Sequence, residues 1–281
     1  MKAIELQKFL NSSILDWKYP PETVDTIKSG DPEIQVTGIA VGWMSYKWAL
    51  ERAIEMDCNV FVTHEPTYFN HRDYDMELFE MKDVQEKRLY IQDSGLVVIR
   101  CHDLWDRMER IGIADAWGEY LGLEESIAGS EYVRIYEIES QTALRIAQHV
   151  AFKTKNFGQP AVQLIGPQDR LVSKIAIGTG AITPYLELVR QFDIDLAICT
   201  DDGIKYWRDG AFAIDMGIPI VVVNHPVSEE FGVYKLAEFI QHHFPDTTVH
   251  YIPQRCMYQL IDPVDNSILM ENLVQEKNKK Q

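Results

Sequence analysis

Three apolar, β-branched runs in this chain each stop on a histidine with carboxylates close by: Asn59–Pro66 (NVFVTHEP), Leu96–Asp106 (LVVIRCHDLWD) and Pro219–Glu230 (PIVVVNHPVSEE). Imidazole and carboxylate together suit Zn, Fe, Mn or Ni. His102 with Asp106, and His225 with Glu229, are spaced i, i+4, so each pair can reach one ion from a single helical turn. His64 and Glu65 are neighbours and face opposite ways while a strand continues; Pro66 supplies the break that would let both turn to one site. These six candidates exceed what one tetrahedral ion needs and suit two divalent ions, with waters completing the shells. Each signal also has a plain structural reading. A strand-end histidine is a common hydrogen-bonding residue, and Glu229 and Glu230 in a first helical turn are favoured by the macrodipole. Pro226 at the first helical position makes Asn224 or His225 an ordinary N-cap. The recurrence of the pattern in one topology is what points to a shared metal site.

Other residues carry weaker signals. His71 follows the first of these runs and is a candidate proton shuttle or substrate contact, as is His102; an exposed loop histidine without a role is the alternative. Cys101 precedes His102 and, facing the site, would be a ligand or nucleophile. Asp201 and Asp202 end a strand and could hold a metal or a substrate, or simply form a turn. The Gly178-Thr179-Gly180 turn before a helix can receive an anion. Trp105 and Trp207 sit beside candidate residues and are expected to line the pocket, whereas His242 and His243 read as a solvated helix end.

To bring these residues together, the chain must place strands with their carboxyl ends at one crevice, as open α/β sheets do. Periodicity predicts strands at Ile34–Val41, Val60–Thr63 and Leu96–Ile99, with helices at Ile4–Leu10, Ser45–Met56 (capped by Ser45), Met76–Asp93 and Ile111–Leu121; Lys18–Pro32 reads as a loop. A polar, Gly- and Ser-containing stretch at Leu123–Ser130 marks a boundary, giving an N-terminal α/β domain over 1–128 and a C-terminal one over 129–281. The second half predicts strands at Glu131–Glu137, Val162–Ile165, Lys174–Ile177, Ala197–Thr200 and Pro219–Val223, and Val249–Ile252 to close its sheet. Its helices fall at Ser140–Val150 (capped by Ser140), Pro184–Phe192, Tyr206–Met216 and Ser228–Phe244. The expectation is therefore an α/β protein of two related domains with a metal site in the cleft between them.

Composition narrows the function. At 281 residues the chain can bury a sizeable core without a metal staple, so a metal here would serve chemistry. A formal net charge of −16 argues against coating nucleic acid or an anionic membrane, since the basic residues are scattered apart from Lys277, Lys279 and Lys280. The four cysteines form no C-x-x-C pair and read as reduced core residues of a cytoplasmic protein. Met1–Leu10 lacks the pattern of a secretory signal, and no segment approaches the ~20 apolar residues of a membrane span.

In order, the motifs VTHEP, HDLWD, IGTG, TDDGIKYW and NHPVSEE resemble the Ngg-interacting-factor family, often labelled GTP cyclohydrolase I type 2 homologues. The resemblance covers about Ile34 to His243. It implies two α/β domains, a toroidal hexamer, and dinuclear metal ligands at His64, Glu65, Asp106, His225 and Glu229, with His102 close by. Glu65 stands where the family pattern has a second histidine, Trp207 where it has the histidine of a KYH motif, and TDDG where it has TGD; the family's N-terminal D-x-x-G-L-Q-V-G stretch is not evident. About forty residues separate Leu121 from Gln163, fewer than the ~50 of a small domain, so no full third domain is inserted. The function this implies is hydrolysis of a small substrate, with a nucleotide-like one among the candidates, through Zn, Fe or Mn. The alternative is a non-enzymatic protein that stores, delivers or senses metal or acts through partners.

Overall fold

The computed structural model describes residues 1–13, 22–181 and 183–261. Its first half runs α1 (Ala3–Asn11), β1 (Ile27–Ser29), β2 (Gly38–Gly42), α2 (Lys47–Glu55), β3 (Val60–Thr63), α3 (Met76–Glu80), α4 (Lys82–Ser94), β4 (Val97–Arg100), α5 (Asp103–Arg107) and α6 (Ile113–Leu121). Then follow β5 (Ala128–Ser130), β6 (Val133–Thr142), α7 (Ala143–Thr154), β7 (Gln163–Ile165), β8 (Leu171–Gly178), α8 (Tyr185–Phe192), β9 (Leu196–Thr200), α9 (Ala211–Met216), β10 (Ile220–Val223), α10 (His225–His243) and β11 (Thr248–Tyr251).

One sheet has the order β1-β4-β3-β2-β11 and the other β5-β6-β8-β9-β10-β7. Strands β2, β3, β4 and β11 are parallel neighbours, as are β8, β9 and β10. Every residue of β3, β4, β9 and β10 is buried, which explains why these strands read as unbroken β-branched runs and not as alternating patterns. Successive side chains still part to opposite faces. Val60 and Val62 join a core with Leu6, Trp105 and Leu236, whereas Phe61 joins one with Leu50, Val84 and Ile91.

Helix α6 ties the two sheets, because Ile113 packs in the first core and Trp117 and Leu121 in the core over the second sheet. It can do so only by close approach to α10. A Cβ on Gly232 would meet the Cα of Ile113 at 2.9 Å.

The structure corrects several expectations. The strand predicted at Val249–Ile252 to close the second sheet is β11, and it pairs in parallel with β2 on the first. Ser45 does not cap α2; it is buried and its hydroxyl has no hydrogen-bond partner. Met76–Asp93 is two helices, because Met81 is extended and interrupts the α-helical turn. Helix α7 is capped by Thr142, which accepts from the Arg145 N–H, since β6 runs through Ser140. Ile34–Val41 reduces to a strand at Gly38–Gly42, and a short β1 lies in the stretch read as a loop, whose residues 18–21 fall outside those described. The last long helix begins at His225 instead of Ser228, which places the His225 and Glu229 spacing inside one helix. The Lys277–Lys280 tail lies outside the described residues. Among the described residues, no helix is long and apolar enough to cross a membrane.

Candidate metal centre

The carboxyl ends of both sets of parallel strands meet at one cavity of about 850 Å³. From the first sheet, β3 delivers His64 and Glu65, and β4 delivers His102, with Asp106 one turn into α5. From the second, β8 leads to Thr179 and Gly180, β9 to Asp201 and Asp202, and β10 to His225 and, one turn into α10, Glu229.

The break after β3 is real: Glu65 N–H donates to the Trp43 carbonyl at 2.7 Å and the Thr63 hydroxyl donates to the Glu65 carbonyl at 2.9 Å. Those bonds take the chain out of the pleat and turn both His64 and Glu65 inward. His64 Nδ1 faces the Cys101 carbonyl at 3.1 Å, and His225 Nδ1 faces Asp202 Oδ2 at 2.8 Å. An acceptor at Nδ1 holds the proton there, so the neutral ring offers the Nε2 lone pair. Both Nε2 atoms are buried and neither has a hydrogen-bond partner.

Carboxylates crowd those two atoms without hydrogen-bond geometry. Around His64 Nε2 lie Asp106 Oδ1 at 3.4 Å and Glu229 Oε2 at 3.6 Å; around His225 Nε2 lie Glu229 Oε2 at 3.1 Å and Glu65 Oε1 at 3.4 Å. Glu229 Oε2 stands between the rings and also accepts the Trp43 indole N–H at 2.7 Å. Two groups whose ligand atoms all lie within 4.8 Å of one another could hold a metal ion: His64, His102 and Asp106, and His64, Glu65 and Glu229.

Charge balance in the cluster follows from this packing. Burial opposes a charge on His64, but Asp106, Glu229 and Glu65 outweigh it and push its pKa up to about 9. His225 is driven well up in the same way, against burial, by Glu229, Asp202 and Glu65. The carboxyls respond in kind: burial would raise Glu65 and Asp106, yet the surrounding histidines hold both below the usual range. In the absence of a cation, protons on imidazole balance the buried acids.

His102 has a different posture. Its Nδ1 lies 3.2 Å from Asp103 Oδ1 and 3.3 Å from Asp106 Oδ2, its ring stacks on His64 with centroids 4.8 Å apart, and His71 stands edge-on to it at 5.3 Å. Both His71 and His102 line the cavity, where a shuttle must be. Burial, with Arg100 and His102 nearby, lowers the pKa of His71, so it is the neutral member of the pair.

Several neighbours escaped the sequence reading. Arg100, fully buried, donates to the carbonyls of His64 (3.0 Å) and His71 and lies 3.3 Å from Glu65 Oε2. Asp25, equally buried, accepts the backbone N–H groups of His102, Asp103 and Leu104 and so fixes the entry to α5. Trp105 is fully buried with its indole N–H on the Gly232 carbonyl, and Trp207 is 78% exposed; neither lines the cavity, and Trp43 does. The Cys101 thiol is buried and its pKa raised by that burial, so the residue acts through its carbonyl and not as a nucleophile. Gly180 allows close approach: its φ is +68°, and a Cβ there would lie 3.4 Å from Glu229 Oε1 and 3.9 Å from His225 Nε2. Gly178-Thr179-Gly180 therefore borders the histidine and carboxylate cluster. His243 packs against Phe9 and Phe239 instead of lining the cavity.

The Duf34/NIF3 (NGG1p interacting factor 3) family model matches residues 12–256. This chain belongs to the NIF3 family. A relative named GTP cyclohydrolase 1 type 2 homolog, from Clostridium acetobutylicum, is 22% identical over 204 residues, covering 70% of this chain and 73% of that one. The NIF3 fold is also seen in a hypothetical protein of Staphylococcus aureus (TM-score 0.75, 18% identity, 93% of this chain and 99% of that chain). A Bacillus cereus protein related to NIF3 gives a TM-score of 0.74 at 14% identity, over 93% and 99% of the two chains, and reduced HcgD from Methanocaldococcus jannaschii 0.70 at 16%, over 90% and 98%. Likeness at these identities speaks for the shared α/β architecture alone. Glu65, where the resemblance expects a histidine, lies in the candidate cluster, and the buried Arg100 stands 3.3 Å from it.

Proposed function

We propose that this protein is a metal-dependent hydrolase with a dinuclear divalent centre, one ion among His64, Asp106 and Glu229 and the other among Glu65, His225 and Glu229. The observation that carries this reading is the pair of buried, unpartnered Nε2 atoms on either side of one Glu229 oxygen. Each nitrogen faces carboxylate oxygens at 3.1–3.6 Å without hydrogen-bond geometry, an arrangement that a cation between them would satisfy. The nitrogen and oxygen donors suit Zn, Fe or Mn.

Two bound divalent ions would supply a water of lowered pKa and polarise the bond to be cut. The protein's own residues do the rest. Asp202 and the Cys101 carbonyl orient the two histidines, and the Trp43 indole N–H fixes Glu229. His102, its Nδ1 turned to Asp103 and Asp106 and its pKa raised by them against burial, holds the proton and would give it to the leaving group, while neutral His71 would accept the proton lost by water. The two rings stand edge-on to each other. The size of the cavity, within the ~300–1,000 Å³ of small-molecule sites, favours a substrate over metal storage alone.

The test is metal analysis of protein purified without added metal, combined with turnover on amides, esters, nucleosides, nucleotides and phosphoesters. Two equivalents of metal and an activity abolished in His225→Ala support the hydrolase. Tight metal without turnover on any class favours the non-enzymatic alternative.

A further inference from the structure

The cavity wall has two characters. Part of the lining is apolar and aromatic: Trp43, Met44, Phe69 and Tyr132. Phe69 is 54% exposed at a φ of +63°, a conformation costly for an aromatic residue. Its loop is held there from beneath by Asp73, which accepts the Tyr68 N–H at 2.7 Å and lies 3.5 Å from Lys28 and 3.6 Å from Arg100. The ring lines the cavity, with the Lys87 ammonium 4.8 Å from its centroid.

Another part of the lining is acidic. Of the six lining carboxylates, Glu65, Asp106 and Glu229 face the proposed ions, Asp103 is turned to His102 and Thr23, and Asp201 and Asp202 stand at the end of β9. The Asp202 side chain is 51% exposed. Among the described residues that line the cavity, none is lysine or arginine. Arg100, close by, is fully buried behind Glu65 and turned to carbonyls and carboxylates. His225, 8% exposed and with an unpartnered Nε2, lines the same cavity and is bonded through its Nδ1 to Asp202, which ties this acidic part of the wall to the proposed metal site.

We propose that the site takes a small aromatic or heteroaromatic substrate that is neutral or cationic, and that it rejects compounds whose aromatic part carries a phosphate or carboxylate. This rests on the reading of the cavity as the substrate site of a metal-dependent hydrolase. A flat ring would pack against the accessible Phe69 and Tyr132, with the edge of the buried Trp43 behind. Asp201 and Asp202, at the end of β9 beside His225, attract an amine and repel an anion. A nucleobase or nucleoside meets these conditions; a nucleoside triphosphate has no basic side chain of the described wall to receive it.

The test is a ligand-observed NMR competition screen on the metal-loaded full chain, using matched scaffolds (indole, phenyl, purine) that carry an amine, an amide, a carboxylate or a phosphate. The expected result is that amine and amide forms bind on the order of tenfold or more tightly than their anionic counterparts. Asp202→Asn, which keeps an acceptor for His225 Nδ1, should narrow that gap by strengthening the anionic forms. Equal or tighter binding of carboxylates or phosphates overturns the proposal, and so does failure of every aromatic scaffold to bind. The screen reads binding alone, so absence of turnover would sink the hydrolase without touching this preference. A working enzyme that prefers phosphorylated ligands would sink only the preference.

Discussion

Arg100 and Glu65 form a buried ion pair at the floor of the site, Nη2 to Oε2 3.3 Å, with the arginine fully shielded from solvent. The same guanidinium holds the His64 and His71 carbonyls, so a single side chain fixes the backbone on both sides of the Thr63–Glu65 break. It also leaves Glu65 Oε1 as the oxygen that faces His225. Arg100→Met should cost roughly 3–5 kcal/mol, the usual penalty for stranding a buried charge. Urea denaturation of the metal-free protein measures this, and a loss below about 1 kcal/mol would mean that the pair does not organise the floor.

Among the described residues, Glu229 Oε2 is the one carboxylate oxygen within 4 Å of both unpartnered nitrogens, 3.6 Å from His64 and 3.1 Å from His225. The proposed ligand sets therefore predict unequal stoichiometries. Glu229→Ala should abolish binding of both ions, whereas His225→Ala should lose one and keep the ion held by His64 and Asp106. Elemental analysis of the three proteins after equilibration with Mn or Zn separates the cases. Equal losses in both variants would show that the two ions do not share Glu229.

These two residues mark what the sequence could and could not say. His225, Glu229, His102 and Asp106 were readable because each pair lies one helical turn apart, and the strands were readable because burial on both faces enforces β-branched runs. Trp43 meets Glu229 across 186 residues and Asp25 meets His102 across 77, and no local spacing records such a contact. Arg100 looks like a polar residue that ends an apolar strand, because its partners at Glu65, Asp73 and His71 are brought in by a different segment. Trp207 was misplaced by proximity along the chain: it follows Asp201 and Asp202 closely but is carried outward on the turn that precedes α9. The second sheet's missing closing strand has the same cause, since pairing of β11 with β2 is set by the return of α10 across the first sheet.

Gly180 predicts a steric effect at the centre. Its positive φ disfavours any side chain, and the added methyl of Gly180→Ala would lie 3.4 Å from Glu229 Oε1. Destabilisation of about 1 kcal/mol is expected from the backbone alone. Weaker metal binding should accompany it, read by competition with a chelator. An unchanged metal affinity would place the turn outside the working site.

Metal binding must expel protons, and the sign of the pH dependence follows. In the metal-free protein the carboxylates around His64 raise its pKa from 6.5 to about 9 and raise that of His225 as well, so both rings are protonated at neutral pH. An ion needs the lone pair on each Nε2, so loading should release about one proton per histidine and tighten as pH rises from 6 towards 9. Calorimetry in buffers of differing ionisation enthalpy counts those protons. The same shift acts on stability in the opposite direction: a raised folded pKa gives His64 a contribution that is complete below 6.5 and is lost as pH rises to about 9. Metal-free protein should therefore lose on the order of a few kcal/mol between those limits, while metal-loaded protein, with ions in place of the protons, should hold its stability. Proton release that is absent, or a metal-free protein that gains stability across this window, would show that the buried acids are not balanced by His64 and His225.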